Sequence, residues 1–166
     1  MDAHKISHFL QDNPGESYPY FRAIEGDELV GIRRSLAAVL GIPPGSNLDD
    51  IAVAILPRML PVPGLKAETG AFDIRIVIPE HIANGNCMVY LDFSFGDFGD
   101  GGVDCMAAAE VIKHFDSIWY WGPDDLLIYD ESFGWIIWVD HNGYVYTLDG
   151  GKGRSSVDLP RNKLPT

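Results

Sequence analysis

Apolar positions recur along this chain at two periods, near 3.6 in the first third and near 2 in the last. Over His4 to Gln11, the residues Ile6, Phe9 and Leu10 gather on one side, and Asn13, Pro14 and Gly15 break the run. Leu29, Ile32, Leu36 and Val39 follow the spacing of one helical face. They predict a helix from about Gly26 to Leu40, with Arg33 on the opposite side. A further helix opens at Ser46 to Asp49 in a segment that resembles a capping box, with an acid near the positive helix end. Its apolar stripe is Leu48, Ile51, Ile55 and Met59; Pro57 ends or kinks it, and Pro61 and Pro63 prevent its resumption.

The pattern then becomes extended. Phe72 to Ile78 alternates as a strand closed by Pro79, and Met88 to Phe93 reads as a second strand pairing with the first. After a glycine-rich loop, Asp104 is placed to cap a helix reaching Phe115, with Cys105, Ala108, Ile112 and Phe115 inward. Four short strands follow at 117–121, 126–130, 135–140 and 144–148, with Asn142 and Gly143 as a hairpin turn. The last three have connections too short for parallel crossovers, so they form an antiparallel meander. The expected architecture is α+β: N-terminal helices packed on a mostly antiparallel sheet, with one inserted helix and a C-terminal meander. Residues 1–149 form one domain, and 150–166 form a Gly-, Pro- and Lys/Arg-containing tail.

Composition adds to this picture chiefly through charge. The 166 residues are 46% hydrophobic and carry 24 acids against 12 bases, a formal charge of −12. This sign disfavours nucleic acid or an anionic membrane as the main partner. No apolar run is long enough to span a bilayer, and the N-terminus lacks the pattern of a secretory signal, so a cytoplasmic location is expected. The imbalance is concentrated: residues 92–149 hold twelve acids and one base, Lys113. The same region holds all four tryptophans, Trp119, Trp121, Trp135 and Trp138. An acidic surface around aromatic anchors is the composition of a protein-binding hot spot. The candidates for steering a basic partner are Asp97, Asp100, Asp124, Asp125, Asp130 and Glu131, with Trp121 and Trp138 as anchors. The alternative reading of such residues is solubility for the acids and core packing for the aromatics.

Chemical motifs are weaker. Asp97, Asp100 and Asp104 lie on a glycine-rich turn, but their spacing departs from an EF-hand; a loop cation site and a simple glycine turn both stay open. Ser94 and Ser132 each sit in half of a nucleophile elbow and lack the preceding glycine. Gly150 to Gly153 lacks the Ser or Thr of a phosphate loop. His4 and His8 have helical metal spacing without a third ligand, and Cys87 and Cys105 read as reduced thiols, a bridge between them being the alternative. No metal and no cofactor is implied.

The segments Trp119 to Asp125 and Trp135 to Gly143 resemble the closing strands of small bacterial immunity proteins, in the general style of the SUKH superfamily and other α+β immunity families. The resemblance covers roughly residues 117–149. It implies a cytoplasmic, single-domain protein that neutralises a toxin domain inside the producing cell, and it assigns no residue a role. The expected function is therefore a non-enzymatic, immunity-type inhibitor docking on a basic toxin or nuclease-like partner. The alternative is a small enzyme, or a metal or ligand binder, built on Asp92, Asp97, Asp100, Asp104, His114 and Asp116.

Overall fold

The structure is a computed structural model, and it describes residues 1–67, 72–95, 102–120 and 124–149. In chain order the elements are α1 (Ala3–Asp12), β1 (Phe21–Ile24), α2 (Gly26–Leu40), α3 (Leu48–Ile55), β2 (Leu60–Lys66), α4 (Glu80–Ala83), β3 (Met88–Asp92), β4 (Val103–Ala107), α5 (Ala108–Ile118), β5 (Leu126–Tyr129), β6 (Trp135–Val139) and β7 (Tyr144–Asp149). The strands form one open antiparallel sheet in the order β1-β4-β3-β5-β6-β7-β2. The architecture is α+β, and β5, β6 and β7 are the expected meander. No helix among the described residues is long and apolar enough to cross a membrane.

Helices cover both faces of the sheet. On one face Ile32, Leu36 and Leu40 of α2 and Ile51 and Ile55 of α3 meet Val103, Leu127, Tyr129 and Ile136. On the other, Val111, Phe115 and Ile118 of α5 and Ile82 of α4 meet Val89, Leu91, Met106, Ile128 and Ile137. This double cover explains why β5 and β6 are near-continuous apolar runs: every residue of β5 is buried. Pro61 and Pro63 lie in β2 at the end of the sheet, the place where a missing N–H costs no ladder bond. Asn47 caps α3 by accepting from Asp50 N while the Asp50 carboxylate accepts from Asn47 N.

Several expectations are corrected. Phe72 to Ile78 is not a strand: Ile74–Ile76 is a single 3-10 turn opened by the Asp73 carboxylate on Arg75 N. Ile74 and Ile78 are buried and Ile76 is 66% exposed. Positions four apart satisfy either period, and here the helical one prevails, so β3 pairs with β4 and β5 instead. The expected helix start at Asp104 is strand β4, paired on both sides by β1 and β3, and α5 begins at Ala108. Helix α5 in turn runs through Ile118, where a strand was expected from 117, and Trp119 N closes it on Phe115 O. Two helices are rotated from their expected faces. Helix α1 buries Lys5 with Phe9 and leaves Leu10 44% exposed. Helix α2 leaves Val39 45% exposed and sends Arg33 inward to a buried carboxylate. In both, a charged group with a buried counter-charge displaces an apolar one. The tail expected from Gly150 lies outside the described residues.

Candidate protein-docking surface

Among the described residues, the acid-rich region 92–149 does not present its carboxylates to solvent as one face. Asp92, at the end of β3, is fully buried, and Arg33 of α2 reaches both of its oxygens. Ser94 N and the Tyr129 hydroxyl also donate to it, at 3.1 and 3.0 Å. Burial works against the charge of Arg33, but Asp92 outweighs it and holds the guanidinium above its usual value. Asp104 in β4 pairs with the Met1 ammonium on the opposite face of the sheet. Asp124 accepts from Lys5 of α1 and from Tyr120 N, and the Lys5 ammonium also donates to Ile118 O and sits 4.0 Å from the Phe93 ring centroid. For Asp92, Asp104 and Asp124, the counter-charges that residues 92–149 lack in sequence thus come from the N-terminal part of the chain.

Other acids build turns. The Asp125 carboxylate accepts from His141 N and lies 3.2 Å from His141 Nδ1. Asp130 accepts from Ser132 N and Oγ, and Asp140 accepts from Asn142 N and Tyr144 N. All three are buried. Asp125 and Asp130 flank the four residues of β5 at its two ends. At 3.3 Å per residue they are about 16 Å apart. Of the candidate acids, Asp124, Asp125 and Asp130 therefore serve internal bonds and split between two ends of the sheet, while Glu131 is exposed. Asp97, Asp100 and Trp121 lie outside the described residues.

Burial pushes the Tyr129 hydroxyl well above its ordinary value, and the adjacent Asp92 charge adds to this. The folded chain then keeps a proton that the unfolded chain loses near pH 10, so stability is intact below that value and falls above it. The expected slope is about 1.4 kcal/mol per pH unit from this one group. Urea unfolding between about pH 8 and pH 11 should show it. Tyr129→Phe should remove that share of the slope at a cost of about 1 kcal/mol at neutral pH, for the lost bond to Asp92. An unchanged alkaline slope in Tyr129→Phe would contradict this.

Trp138 is the one candidate anchor that the structure describes. It stacks on Tyr146, its cross-strand neighbour, with centroids 5.0 Å apart. It lines a hollow of about 60 Å³ together with Ala52, Ile55, Leu56, Phe95 and Leu127. Its indole Nε1–H is buried without a hydrogen-bond acceptor. An orphaned buried donor costs about 1–3 kcal/mol, a cost shared by Trp135 Nε1.

Beside this hollow runs an apolar surface that the helical pattern did not single out. Asp49, Val53 and Leu56 are spaced to share one side of the α3 turn-set, and Val53 is 73% and Leu56 44% exposed. Leu60, where β2 begins, is 61% exposed. The signal was present in the sequence: from Ile51 to Leu65 the only charged residue is Arg58. One buried stripe uses only part of such a run; a helix apolar all round requires cover on its outer side too.

Of the groups of the alternative reading, Asp97 and Asp100 lie outside the described residues, and the others described are not gathered at one point. Asp92 and Asp104 point to opposite faces, and His114 pairs with Glu110 on α5. Among the described residues no three His, Cys, Asp or Glu side chains are placed to hold a metal ion, and Cys87 and Cys105 are free thiols. No protein-family model, curated protein or solved structure matches the chain.

Proposed function

We propose that this chain is a non-enzymatic binding protein, an immunity-type inhibitor that docks on a basic protein such as a nuclease toxin domain. The observation that carries the reading is the exposed apolar side chains from α3 to the start of β2, Val53, Leu56 and Leu60, with Leu56 lining the hollow over Trp138. Apolar side chains around a desolvated aromatic, with polar residues at the rim, are what interface hot spots are made of. Asp49 and Asp50 stand exposed at the head of α3, and the net charge of −12 favours a basic partner. Steering in this reading comes from exposed carboxylates such as Asp49 and Glu131, and the apolar surface supplies residence time.

A photo-crosslinking residue at Val53, with a control at the exposed Lys113 on α5, tests the reading in cells that make the protein. The expected result is an adduct specific to Val53 with a basic protein whose own activity is lost in a one-to-one complex. Val53→Asp should weaken that complex by at least about tenfold, mostly through faster dissociation. Equal adducts from both positions, an acidic partner, or a partner fully active in the complex would overturn it.

A further inference from the structure

Helices α2 and α3 enclose a cavity of about 520 Å³ on the side of α3 away from Val53. Its size falls within the roughly 300–1,000 Å³ typical of small-molecule sites. Leu29 and Ala37 of α2 and Leu48 and Ile51 of α3 supply apolar walls. Among the described residues, the only charged side chains in the lining are Arg33 and Arg34. That is unexpected by composition, because acids outnumber bases two to one in this chain. The two arginines are not equivalent. Arg33 is half-buried, and both of its terminal nitrogens are taken by Asp92 and Ser94. Arg34 is exposed at the rim and makes no ion pair among the described residues.

We infer that this cavity is a binding site for a small amphipathic anion, an aliphatic carboxylate whose chain lies between α2 and α3 and whose head pairs with Arg34. A planar guanidinium without a partner suits a carboxylate, which it can hold through two parallel hydrogen bonds. Among the described residues the charged lining is cationic, which favours an anionic head over a cationic one, and the apolar walls favour a hydrocarbon body over a sugar or nucleotide. Leu48, 36% exposed, and Val30, 54% exposed, extend the apolar wall to the mouth, where a bound chain would cover them. The site is independent of the docking reading above, since it uses the opposite side of α3.

Sodium octanoate titrated into the full chain, followed by calorimetry and amide NMR, tests the inference. The expected result is saturable one-site binding with shifts confined to α2, α3 and the 43–47 turn. Arg34→Gln should weaken octanoate by about tenfold and leave 1-octanol unchanged, because only the charged head uses the guanidinium. Leu48→Trp, which narrows the mouth, should weaken both, and Val53→Asp should weaken neither. No saturable octanoate binding up to about 10 mM, a dissociation constant worth less than 3 kcal/mol, would overturn the site. Octanoate and octanol binding equally well, with Arg34→Gln silent, would overturn the anion assignment.

Discussion

Replacing Arg33 by methionine is expected to lower the unfolding free energy by about 3–5 kcal/mol. The cause lies in what remains. Asp92 is fully buried, and its carboxylate is built to receive four donors: two from Arg33, one from Ser94 N and one from Tyr129. Methionine keeps much of the aliphatic packing of Arg33 and leaves a buried charge with two neutral donors. An uncompensated carboxylate there is far more costly than the pair is stabilising, because a low-dielectric site penalises the lone ion. Urea unfolding should therefore separate two quantities. Arg33→Met alone should show the full loss, while Arg33→Met with Asp92→Asn should recover at least about 1 kcal/mol of it, as coupled neighbours do. A loss below about 1 kcal/mol in the single variant would mean that the pair does not form in solution. The same pair joins α2 to the end of β3, so it also sets the floor on which the α2–α3 cavity rests.

Asp124→Ala is expected to cost about 3 kcal/mol, whereas Glu131→Gln should stay within about 0.5 kcal/mol. The sequence alone puts these two acids in one class. In the folded chain Asp124 is the counter-charge of buried Lys5 and the acceptor of Tyr120 N, while Glu131 stands in solvent. The pH dependence tells the two roles apart. Burial lowers the Lys5 ammonium below its usual range by more than Asp124 raises it. Between that lowered value and the unfolded value near 10.5, the folded chain binds fewer protons at Lys5 than the unfolded chain does. Stability from this group consequently rises with pH across the window. Removing Asp124 depresses Lys5 further, so the penalty of Asp124→Ala should be largest where Lys5 is charged in the folded chain and shrink as pH rises towards the unfolded value, because a neutral amine needs no counter-charge. A penalty independent of pH would assign the effect to the lost Tyr120 N bond alone. For the same reason Val53, and not Asp124, is the position at which to test docking: a binding loss in Asp124→Ala would also report the loosening of α1.

Much of the architecture is legible in the pattern of side chains. The α2 and α3 periods, the proline stop after α3 and the Asn142–Gly143 turn all depend on neighbours within one or two turns of chain, and they stand where the local pattern places them. Beyond the rotated faces of α1 and α2, the three places where the pattern misleads about the type of element share a cause. Ile74 and Ile78 fit helix and strand alike, Val103 to Ala107 is apolar enough for either a helix or a twice-covered strand, and Ser117 and Ile118 extend a helix whose end no Gly or Pro marks. In each, partners distant in sequence decide. The strands β1 and β2 carry too little alternation to declare themselves; β1 is four residues and β2 holds two prolines, and both exist because β4 and β7 offer edges.

The candidate site divides along the same line. The sequence by itself determined the α+β class, the meander, the excess of negative charge and the unusual apolar run from Ile51 to Leu65, because composition and short-range periodicity are properties of the chain alone. Only the tertiary structure decided which charges remain visible to a partner. Coulombic pairing ignores distance along the chain: Lys5 meets Asp124 and Arg33 meets Asp92 across 119 and 59 positions, and backbone N–H groups take up Asp125, Asp130 and Asp140. Asp124, Asp125 and Asp130, available to a partner as the sequence reads, are thus consumed by the fold, while Glu131 stays exposed. The unpaired features, Arg34 at an apolar cavity and Val53 beside the Trp138 hollow, arise where the packing of the described residues leaves surface exposed.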